Sequence, residues 1–249
     1  LFPFQEQAVQ TLQDKFFYSK KQTIVFYAPT GSGKTIMLIN LMDRIIEYNP
    51  NSRDYVFVWL TPGNGELEEQ SWNKSKDYGK FVKSLSFDEA LTSGFQANTA
   101  TFLNWERVKN DKAIALRGGD TKSLDDIIKN AKHRGLEFVV IVDEEHRNQT
   151  ENAQWIIDKF DSYKIIRASA TPKSQSSEYD NVQVNDEDVI SQGLIVRNVE
   201  LNPDGVDGDV VDNMVQYFLD LADDKRRQIK IEYEKLGLSI NPLVLIQFR

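Results

Sequence analysis

Cysteine is absent from this 249-residue chain, and histidine occurs only as His133 and His146. The lack of thiols excludes disulfides and thiolate metal sites, and two imidazoles cannot build a histidine-rich metal centre. Long apolar runs are missing too, since blocks such as "FVVIV" (138–142) are far too short to cross a bilayer. No charged-then-apolar leader opens the chain. These absences predict a cytoplasmic protein without a membrane segment.

Positive charge is also in short supply, with 30 Lys and Arg against 38 Asp and Glu and a net charge of −8. This balance argues against a protein that coats nucleic acid through bulk positive charge. It is compatible with one that grips a few phosphates through backbone amides and hydroxyl groups. The length allows one large domain, or one domain and part of another. Because the chain begins without methionine and stops within an apolar run, we interpret it as a fragment.

Short runs of β-branched and aromatic residues predict buried strands. Their apolar residues are consecutive rather than alternating, as expected when helices cover both faces of a parallel sheet. The predicted strands are "TIVFY" (23–27), "YVFVWL" (55–60), "ATFLN" (100–104), "FVVIV" (138–142) and "KIIRA" (164–168).

Helical patterns lie between these strands. "IMLINLMDRIIEY" (36–48) repeats apolar residues every three or four positions. "SLDDIIKNAKHRG" (123–135) opens with Ser123 and Asp126 at capping-box spacing and closes on Gly135. The alternation predicts an α/β fold with a mostly parallel sheet and helices on both faces. Ligands of such folds lie at the carboxyl ends of the strands.

The character of the chain changes after residue 198. "NPDGVDGD" (202–209) is rich in turn residues, and an amphipathic pattern then runs from Val210 toward Leu236. The final "PLVLIQF" (242–248) predicts one more buried strand. We therefore predict a first domain over 1–198, a linker and amphipathic helix over 199–240, and the first strand of a second domain over 241–249.

"APTGSGKT" (28–35) stands between a predicted strand and a predicted helix, as a phosphate-binding loop does. Its glycines let successive N–H groups point into one concavity at the positive end of the helix. Lys34 would neutralise the β- and γ-phosphates, and the Thr35 hydroxyl would bind Mg²⁺. An ordinary glycine-rich turn is the alternative. The predicted phosphate-binding residues are Thr30, Gly31, Ser32, Gly33, Lys34 and Thr35.

"DEEH" (143–146) directly follows the apolar run "FVVIV". Asp143 would end a buried strand, where its carboxylate can hold the water shell of Mg²⁺. Glu144 could then polarise the attacking water as a general base. A solvated strand end would look the same in isolation. Its place after a buried strand, downstream of a phosphate loop, favours a catalytic site.

Together with "SAT" (169–171), these segments resemble motifs I, II and III of the superfamily 2 DEAD/DEAH-box helicases and translocases. "FPFQEQAV" (2–9) resembles the Q-motif of that superfamily. Within it, the chain is most similar to the Res subunit of type III restriction enzymes. The segments that carry this finer similarity are "VWLTPGNGELEEQS" (58–71), "FLNWERV" (102–108), "VDEEHRNQT" (142–150), "SATPKS" (169–174), "EDVISQGLI" (187–195) and "NPLVLIQFR" (241–249).

The resemblance implies two RecA-like domains with ATP in the cleft between them. This chain would hold the first domain, the connecting helix and the start of the second. Gln5 would read the adenine edge. His146 would relay the state of the γ-phosphate to Ser169 and Thr171, which couple hydrolysis to movement. Glu145 departs from the pattern, because DEAD and DEAH sequences carry alanine there, and on an extended segment its side chain would point away from ATP.

The resemblance also implies a nucleic-acid edge. Thr61, Pro62 and Gly63 match motif Ia, and Asn104 and Trp105 match the motif that follows. In the family these segments face the nucleic-acid backbone, and hydroxyl and amide donors at a strand end suit phosphate. Trp105 could stack on a base, or it could fill space between a strand and a helix. Asn104 could contact a phosphate, or it could cap the next helix.

The expected function is that of an ATP-dependent DNA translocase, the motor of a type III-like restriction system. Its expected cofactors are ATP and Mg²⁺, and its expected partners are DNA and a modification (methyltransferase) subunit. A stand-alone superfamily 2 helicase is a close alternative. A P-loop kinase has no reason to carry both "DEEH" and "SAT". Intact Lys34, Thr35, Asp143 and Glu144 argue against a binding module that has lost hydrolysis.

Overall fold

The computed structural model describes residues 1–61, 66–104, 123–143, 151–171, 177–195 and 214–244. The chain divides into two compact units, Leu1–Arg197 and Asn198–Arg249. No helix within the described ranges is both long enough and apolar enough to span a membrane. The three-part division made from the sequence stays a prediction.

One sheet of seven parallel strands forms the centre of the first unit. The strands are β1 (Thr23–Tyr27), β2 (Asp54–Thr61), β3 (Lys83–Leu85), β4 (Thr99–Asn104), β5 (Leu136–Val142), β6 (Lys164–Ser169) and β7 (Asp180–Gln183). Their order across the sheet is β3-β4-β2-β5-β6-β1-β7. All five strands predicted from apolar runs are confirmed. The two that were not predicted, β3 and β7, are short and lie at the two edges of the sheet.

Helices cover both faces of this sheet. Within the described residues they are α1 (Pro3–Tyr18), α2 (Lys34–Tyr48), α3 (Glu66–Tyr78), α4 (Phe87–Ser93), α5 (Leu124–His133), α6 (Glu151–Phe160) and α7 (Asp186–Ser191) in the first unit, and α8 (Met214–Lys235) in the second. Successive residues of β2 point to opposite faces. Phe57 packs with α1 and α2, whereas Val58 packs with α4, α5 and α6. The predicted α/β architecture is therefore confirmed.

The predicted helix boundaries follow their sequence signals closely. Ser123 caps α5, because its hydroxyl accepts from the N–H of Asp126 while the Asp126 carboxylate accepts from the Ser123 N–H. Gly135 follows the helix with a φ of +79°. The amphipathic helix of the second unit is confirmed over Met214–Lys235. Residue 210 and residues 245–249 lie outside the described residues, and 241–244 form neither helix nor strand.

Asp43 is a buried carboxylate on α2 and is only 5% exposed. Its Oδ2 accepts from the backbone N–H of Lys80 at 2.8 Å, and its Oδ1 accepts from those of Phe81 and Val82 at 2.9 Å each. Three hydrogen bonds to one charged group compensate for its burial. Asp43 thereby holds the segment between α3 and β3 against α2.

Asp43→Asn is expected to lower the free energy of unfolding by about 1–3 kcal/mol, because an amide NH₂ would replace one accepting oxygen and face an N–H group. Urea unfolding followed by circular dichroism measures the change. Asp54→Asn, at the exposed start of β2, makes the same chemical change on the surface and should stay within about 0.5 kcal/mol of the parent. Equal stability of the two variants would contradict the role assigned to Asp43.

Candidate functional site

The predicted motifs meet where the parallel strands end, which we call the carboxyl edge of the sheet. Because all pairs are parallel, the carboxyl ends of β1, β5 and β6 share this edge. The loop 28–33 follows β1, Asp143 follows β5, and Ser169 ends β6. Since β6 lies between the other two, Asp143 and the loop stand about 10 Å apart across the sheet, two interstrand spacings. This placement is the one that a shared phosphate and metal site requires.

The loop 28–33 has a backbone suited to an anion. Gly31 and Gly33 have φ values of +85° and +83°, in the left-handed region that glycine adopts without strain. The Ser32 N–H donates to the Pro29 carbonyl at 3.1 Å and closes a tight turn. Helix α2 begins at Lys34 with Gly33 as its N-cap. Amide groups of its first turn therefore have no partner within the helix and lie at its positive end.

The side chains of the loop divide into buried and open groups. Ser32 is fully buried and Lys34 is 8% exposed, whereas Thr35 is half-buried and Thr30 is exposed. The Ser32 hydroxyl has no hydrogen-bond partner among the described residues. A buried hydroxyl without a partner costs free energy, and an anion oxygen would satisfy it. The loop therefore fits a phosphate in both backbone shape and donor supply.

Gln5 ties the loop to α1. Its Nε2 donates to the Ser32 carbonyl at 2.8 Å, and its Oε1 accepts from the Phe2 N–H at 3.0 Å. The residue is 6% exposed. Gln5 thus supports the loop directly, a role that the sequence did not reveal. Each amide atom can form one further hydrogen bond, and the assignment of Gln5 as the adenine reader stays a prediction.

Gly33→Ala is expected to destabilise the chain because a Cβ there would lie 2.6 Å from Gln5 Nε2. Gly135→Ala is the matched control, since Gly135 has a φ of +79° and a Cβ added there would meet no heavy atom within 4 Å. Both variants pay the backbone cost of a left-handed alanine, about 1–2 kcal/mol. Gly33→Ala should lose about 1–2 kcal/mol more in urea unfolding, from the steric clash. Equal losses of unfolding free energy in the two variants would show that the Gln5 side chain does not crowd the position of Gly33.

Asp143 extends the end of β5. Its N–H donates to the Leu60 carbonyl at 3.0 Å, and the residue is 7% exposed. Its carboxylate and the Thr35 hydroxyl are oxygen ligands of the kind that Mg²⁺ takes. Within the described residues no three His, Asp or Glu side chains cluster as a metal site. Glu144, Glu145 and His146 lie outside the described residues.

Ser169 connects the end of β6 to the loop. The Ala28 N–H donates to the Ser169 carbonyl at 3.1 Å. The Ser169 hydroxyl accepts from the Thr171 N–H at 3.2 Å and donates to the Thr171 carbonyl at 3.1 Å. Ser169 is buried and Thr171 is exposed. The chain therefore has a direct backbone link between the loop and the segment predicted to couple hydrolysis to movement.

Thr61 and Asn104 end the adjacent strands β2 and β4, where they are register partners. Both are buried, at 0% and 4% exposure. The Thr61 hydroxyl has no hydrogen-bond partner within the described part of the chain. The two residues lie at the same sheet edge as the loop, on the other side of β5. Pro62, Gly63 and Trp105, the other predicted nucleic-acid residues, lie outside the described residues.

The packing of residues 194 and 195 on the loop was not predicted from the motifs. A Cβ on Gly31 would lie 2.9 Å from Ile195 Cγ2 and 3.5 Å from the Leu194 carbonyl oxygen, so the segment after α7 packs on the loop. The sequence signal for it is an apolar pair directly after Gly193, which belongs to "EDVISQGLI".

A cleft of about 550 Å³ beside the first turns of α2 was not anticipated either. Phe2 and Gln5 form one side of it, and Ile36 and Asn40 of α2 and Lys80 line it as well. The ring of Phe2 stacks on that of Phe4 with centroids 6.2 Å apart. Of this aromatic pair, Phe4 belongs to the core and Phe2 faces the cleft.

Two ionisable groups beside the site have shifted pKa values. The hydrogen bond from Arg44 lowers the pKa of Glu6, so this carboxylate is charged at neutral pH. Burial raises the pKa of Tyr27, the last residue of β1, so its phenol stays neutral there.

The sequence matches one family model and one known helicase. A family model described as "Type III restriction enzyme, res subunit" matches residues 1–174. The chain is 33% identical over 98 residues to the DExH-box ATP-dependent RNA helicase DExH12 of Arabidopsis thaliana. That alignment covers 34% of this chain and 4% of the helicase, so the chain spans a small part of that relative.

Two solved structures match part of the chain. A nuclease-deletion mutant of the Type ISP restriction-modification enzyme LlaGI, solved with a DNA substrate mimic, matches with a TM-score of 0.50 at 17% identity, over 78% of this chain and 20% of that one. The Sulfolobus solfataricus SWI2/SNF2 ATPase core, solved with dsDNA, matches with a TM-score of 0.47 at 12% identity, over 71% of this chain and 33% of that one. The similarity to LlaGI, together with the all-parallel sheet, confirms the predicted RecA-like fold.

Proposed function

The chain belongs to the type III restriction enzyme res subunit family, and we propose that it is an ATP-dependent DNA translocase motor, the Res-type motor of a type III-like restriction system. The family consists of helicase and translocase motor domains. One observation carries the proposal. The loop 28–33 follows β1 and Asp143 follows β5, and these two strands lie on either side of β6 with their carboxyl ends at the same edge of the sheet. That edge is where open α/β sheets bind their ligands.

The proposed roles follow from the positions of the residues. The loop amides and the Lys34 ammonium bind the phosphates of ATP. Thr35 and Asp143 would hold Mg²⁺, which supplies charge neutralisation when bound. Glu144 polarises the attacking water as general base, and Gln5 contacts the adenine. Because phosphoryl transfer depends on positioning and charge neutralisation, no covalent intermediate with the protein is needed.

ATP hydrolysis is coupled to DNA binding through the other residues at the carboxyl edge of the sheet. Thr61, Pro62, Gly63, Asn104 and Trp105 contact the DNA backbone, through hydroxyl and amide donors rather than bulk charge. His146 senses the γ-phosphate and passes its state to Ser169 and Thr171. The link from Ala28 to Ser169 supports this coupling, because it joins the phosphate loop to that segment.

A second RecA-like domain is expected to close on ATP and to supply the arginines that stabilise the transition state. We therefore expect the 249-residue chain to bind ATP or ADP with modest affinity and to hydrolyse ATP slowly. In the protein with both domains, closure on ATP would pull one DNA strand by a step. Release of phosphate would reset the motor.

The proposed setting is a cytoplasmic restriction system, in which a modification subunit recognises the target and a nuclease domain cuts it. The DNA substrate mimic bound by LlaGI supports DNA as the track. A stand-alone superfamily 2 DNA helicase is the alternative. A nuclease domain elsewhere in the protein would favour restriction, and its absence would favour the helicase.

Replacing Thr61 and Asn104 together by alanine tests the DNA-facing assignment. We expect DNA affinity and DNA-stimulated ATP turnover to fall about tenfold, the effect of losing one or two hydrogen bonds to phosphate. Fluorescence anisotropy with labelled DNA measures binding in the protein with both RecA-like domains. ATP affinity should remain unchanged.

Thr101→Ala is the matched control. Thr101 also lies on β4, and its buried hydroxyl has no partner among the described residues, but it stands inside the strand rather than at its carboxyl end. It should leave DNA binding intact. If the double variant lost stability and kept its DNA affinity, Thr61 and Asn104 would be structural residues only.

A further inference from the structure

The cleft beside α2 lies next to the phosphate loop, because its lining includes Ile36, which directly follows Thr35. Gln5 lines the cleft and also donates to the Ser32 carbonyl inside the loop. Ile36 and Ile39, which lie within the first two turns of α2, provide an apolar wall. A ligand with phosphates at the start of α2 would therefore have the rest of its structure in or near this cleft.

Asn40 lies on the same side of α2, and Arg44 sets the orientation of its amide. Arg44 Nε donates to Asn40 Oδ1 at 2.9 Å. Because a guanidinium can only donate, the atom that faces it must be the amide oxygen. The amide NH₂ is then the other arm of the side chain, and it has no hydrogen-bond partner among the described residues. Asn40 thus offers the cleft two donors whose orientation is determined.

Arg44 is itself held by α1. Its guanidinium pairs with the Glu6 carboxylate and donates to Gln10 Oε1 at 3.4 Å. The side chain of Arg44 is 21% exposed, although it carries a full charge. Glu6, Arg44 and Asn40 therefore form a chain of contacts that ends at the cleft. An arginine held on both sides restricts the rotamers of the asparagine that it contacts.

Lys80 adds a donor from another wall. Its backbone N–H is fixed by Asp43, and Lys80 lines the cleft. The cleft thus combines an apolar wall, an exposed aromatic ring at Phe2 and amine or amide donors. A flat ring with acceptor nitrogen or oxygen atoms has the matching chemistry, because it can pack on apolar side chains through its face and accept hydrogen bonds at its edge.

We propose that Asn40 contacts the nucleobase of the nucleoside triphosphate in this cleft, and that Arg44 positions Asn40 for that contact. This inference rests on the proposed function, because it takes binding of the phosphates at loop 28–33 as given. It adds two residues outside the recognised motifs and a direction for the base, along the face of α2 formed by Ile36 and Asn40.

Asn40→Leu and Asn40→Asp test the inference by calorimetry on the 249-residue chain, with ADP and with tripolyphosphate as separate ligands. Leucine keeps the side-chain shape without donors, and aspartate keeps an oxygen for Arg44. Both should weaken ADP binding about five- to tenfold, the effect of one lost hydrogen bond. Tripolyphosphate, which has no base, should bind as tightly as to the parent chain.

Arg44→Gln tests the positioning role, because it leaves the lining of the cleft in place. It should weaken ADP binding and spare tripolyphosphate binding, a ligand-selective loss that a general loss of stability would not produce. Glu47→Ala is the control on the same helix, at an exposed position outside the cleft. It should change neither affinity.

The outcomes separate two failures. If the parent chain binds neither ligand, the phosphate loop assignment falls, and the base site falls with it. If the parent chain binds both ligands and the Asn40 variants bind ADP as tightly as it does, the base site alone is wrong. Equal weakening of ADP and tripolyphosphate would also overturn it, because the substitution would then act on the loop rather than on the base.

Discussion

Lys34→Ala is expected to raise the dissociation constant for ATP–Mg²⁺ about 10- to 100-fold, because it removes a charge-assisted hydrogen bond to the phosphates. Lys34 is the first residue of α2 and is 8% exposed. Its charge therefore acts in a partly dehydrated setting, next to amides at the positive end of the helix. Calorimetric titration of the 249-residue chain with ATP in the presence of Mg²⁺ measures the loss.

Lys129→Ala is the control for this change. Lys129 is an exposed lysine on α5, and its replacement removes the same charge from the chain without touching the loop. The affinity of this variant for ATP–Mg²⁺ should stay within a factor of about two, because salt screens the charge of an exposed lysine that does not belong to the loop. An unaltered affinity in Lys34→Ala would mean that the loop does not bind phosphates, and the proposed function would then lose its basis.

Glu144→Gln is expected to lower ATP turnover about 10²- to 10⁴-fold while ATP binding is retained, because glutamine keeps the size of the side chain but cannot accept a proton. The residue directly follows Asp143, which the structure places at the end of β5. Turnover is measured with DNA in the protein that carries both RecA-like domains. Binding of ATP, measured separately, shows that the site itself is intact.

Glu145→Gln is the matched control, because it makes the same charge change one residue further on. The sequence predicts an extended segment here, on which neighbouring side chains would point in opposite directions, so this variant should keep its turnover. If Glu145→Gln lost turnover and Glu144→Gln did not, the general base would have to be reassigned to Glu145. Full activity in both variants would remove the base from this segment.

The central strands were predictable because both faces of the sheet are covered. Runs such as 138–142 are apolar at every position, as expected of a strand whose two faces are both covered. The edge strands β3 and β7 have three and four residues and are partly exposed. Their backbone pairing comes from neighbouring strands rather than from their own composition, so no local pattern marks them.

The arrangement of the candidate site in the fold was predictable where its residues form contiguous motifs, and not where its contacts join distant segments. The position of Asp143 relative to the loop followed from parallel strands sharing an edge. The hydrogen bond from Gln5 to Ser32 and the packing of Ile195 on Gly31 depend instead on how α1 and the segment after α7 pack. Asp43 left a weak signal, an acidic residue within an apolar helix, that becomes meaningful only once Lys80 is placed beside it.

The strand that carries the phosphate loop receives both of its neighbours from late in the chain. β1 pairs on one side with β6 and on the other with β7, whereas β2 pairs with β4 and β5, and β5 joins this group to β6. Pairing across so many residues slows folding. During synthesis, the β2–β4–β5 half can assemble first, and the loop acquires its support only after residue 183 has left the ribosome. A nascent chain stalled at residue 174 would lack β7, so one side of β1 would have no partner strand. We expect such a chain not to bind nucleotide.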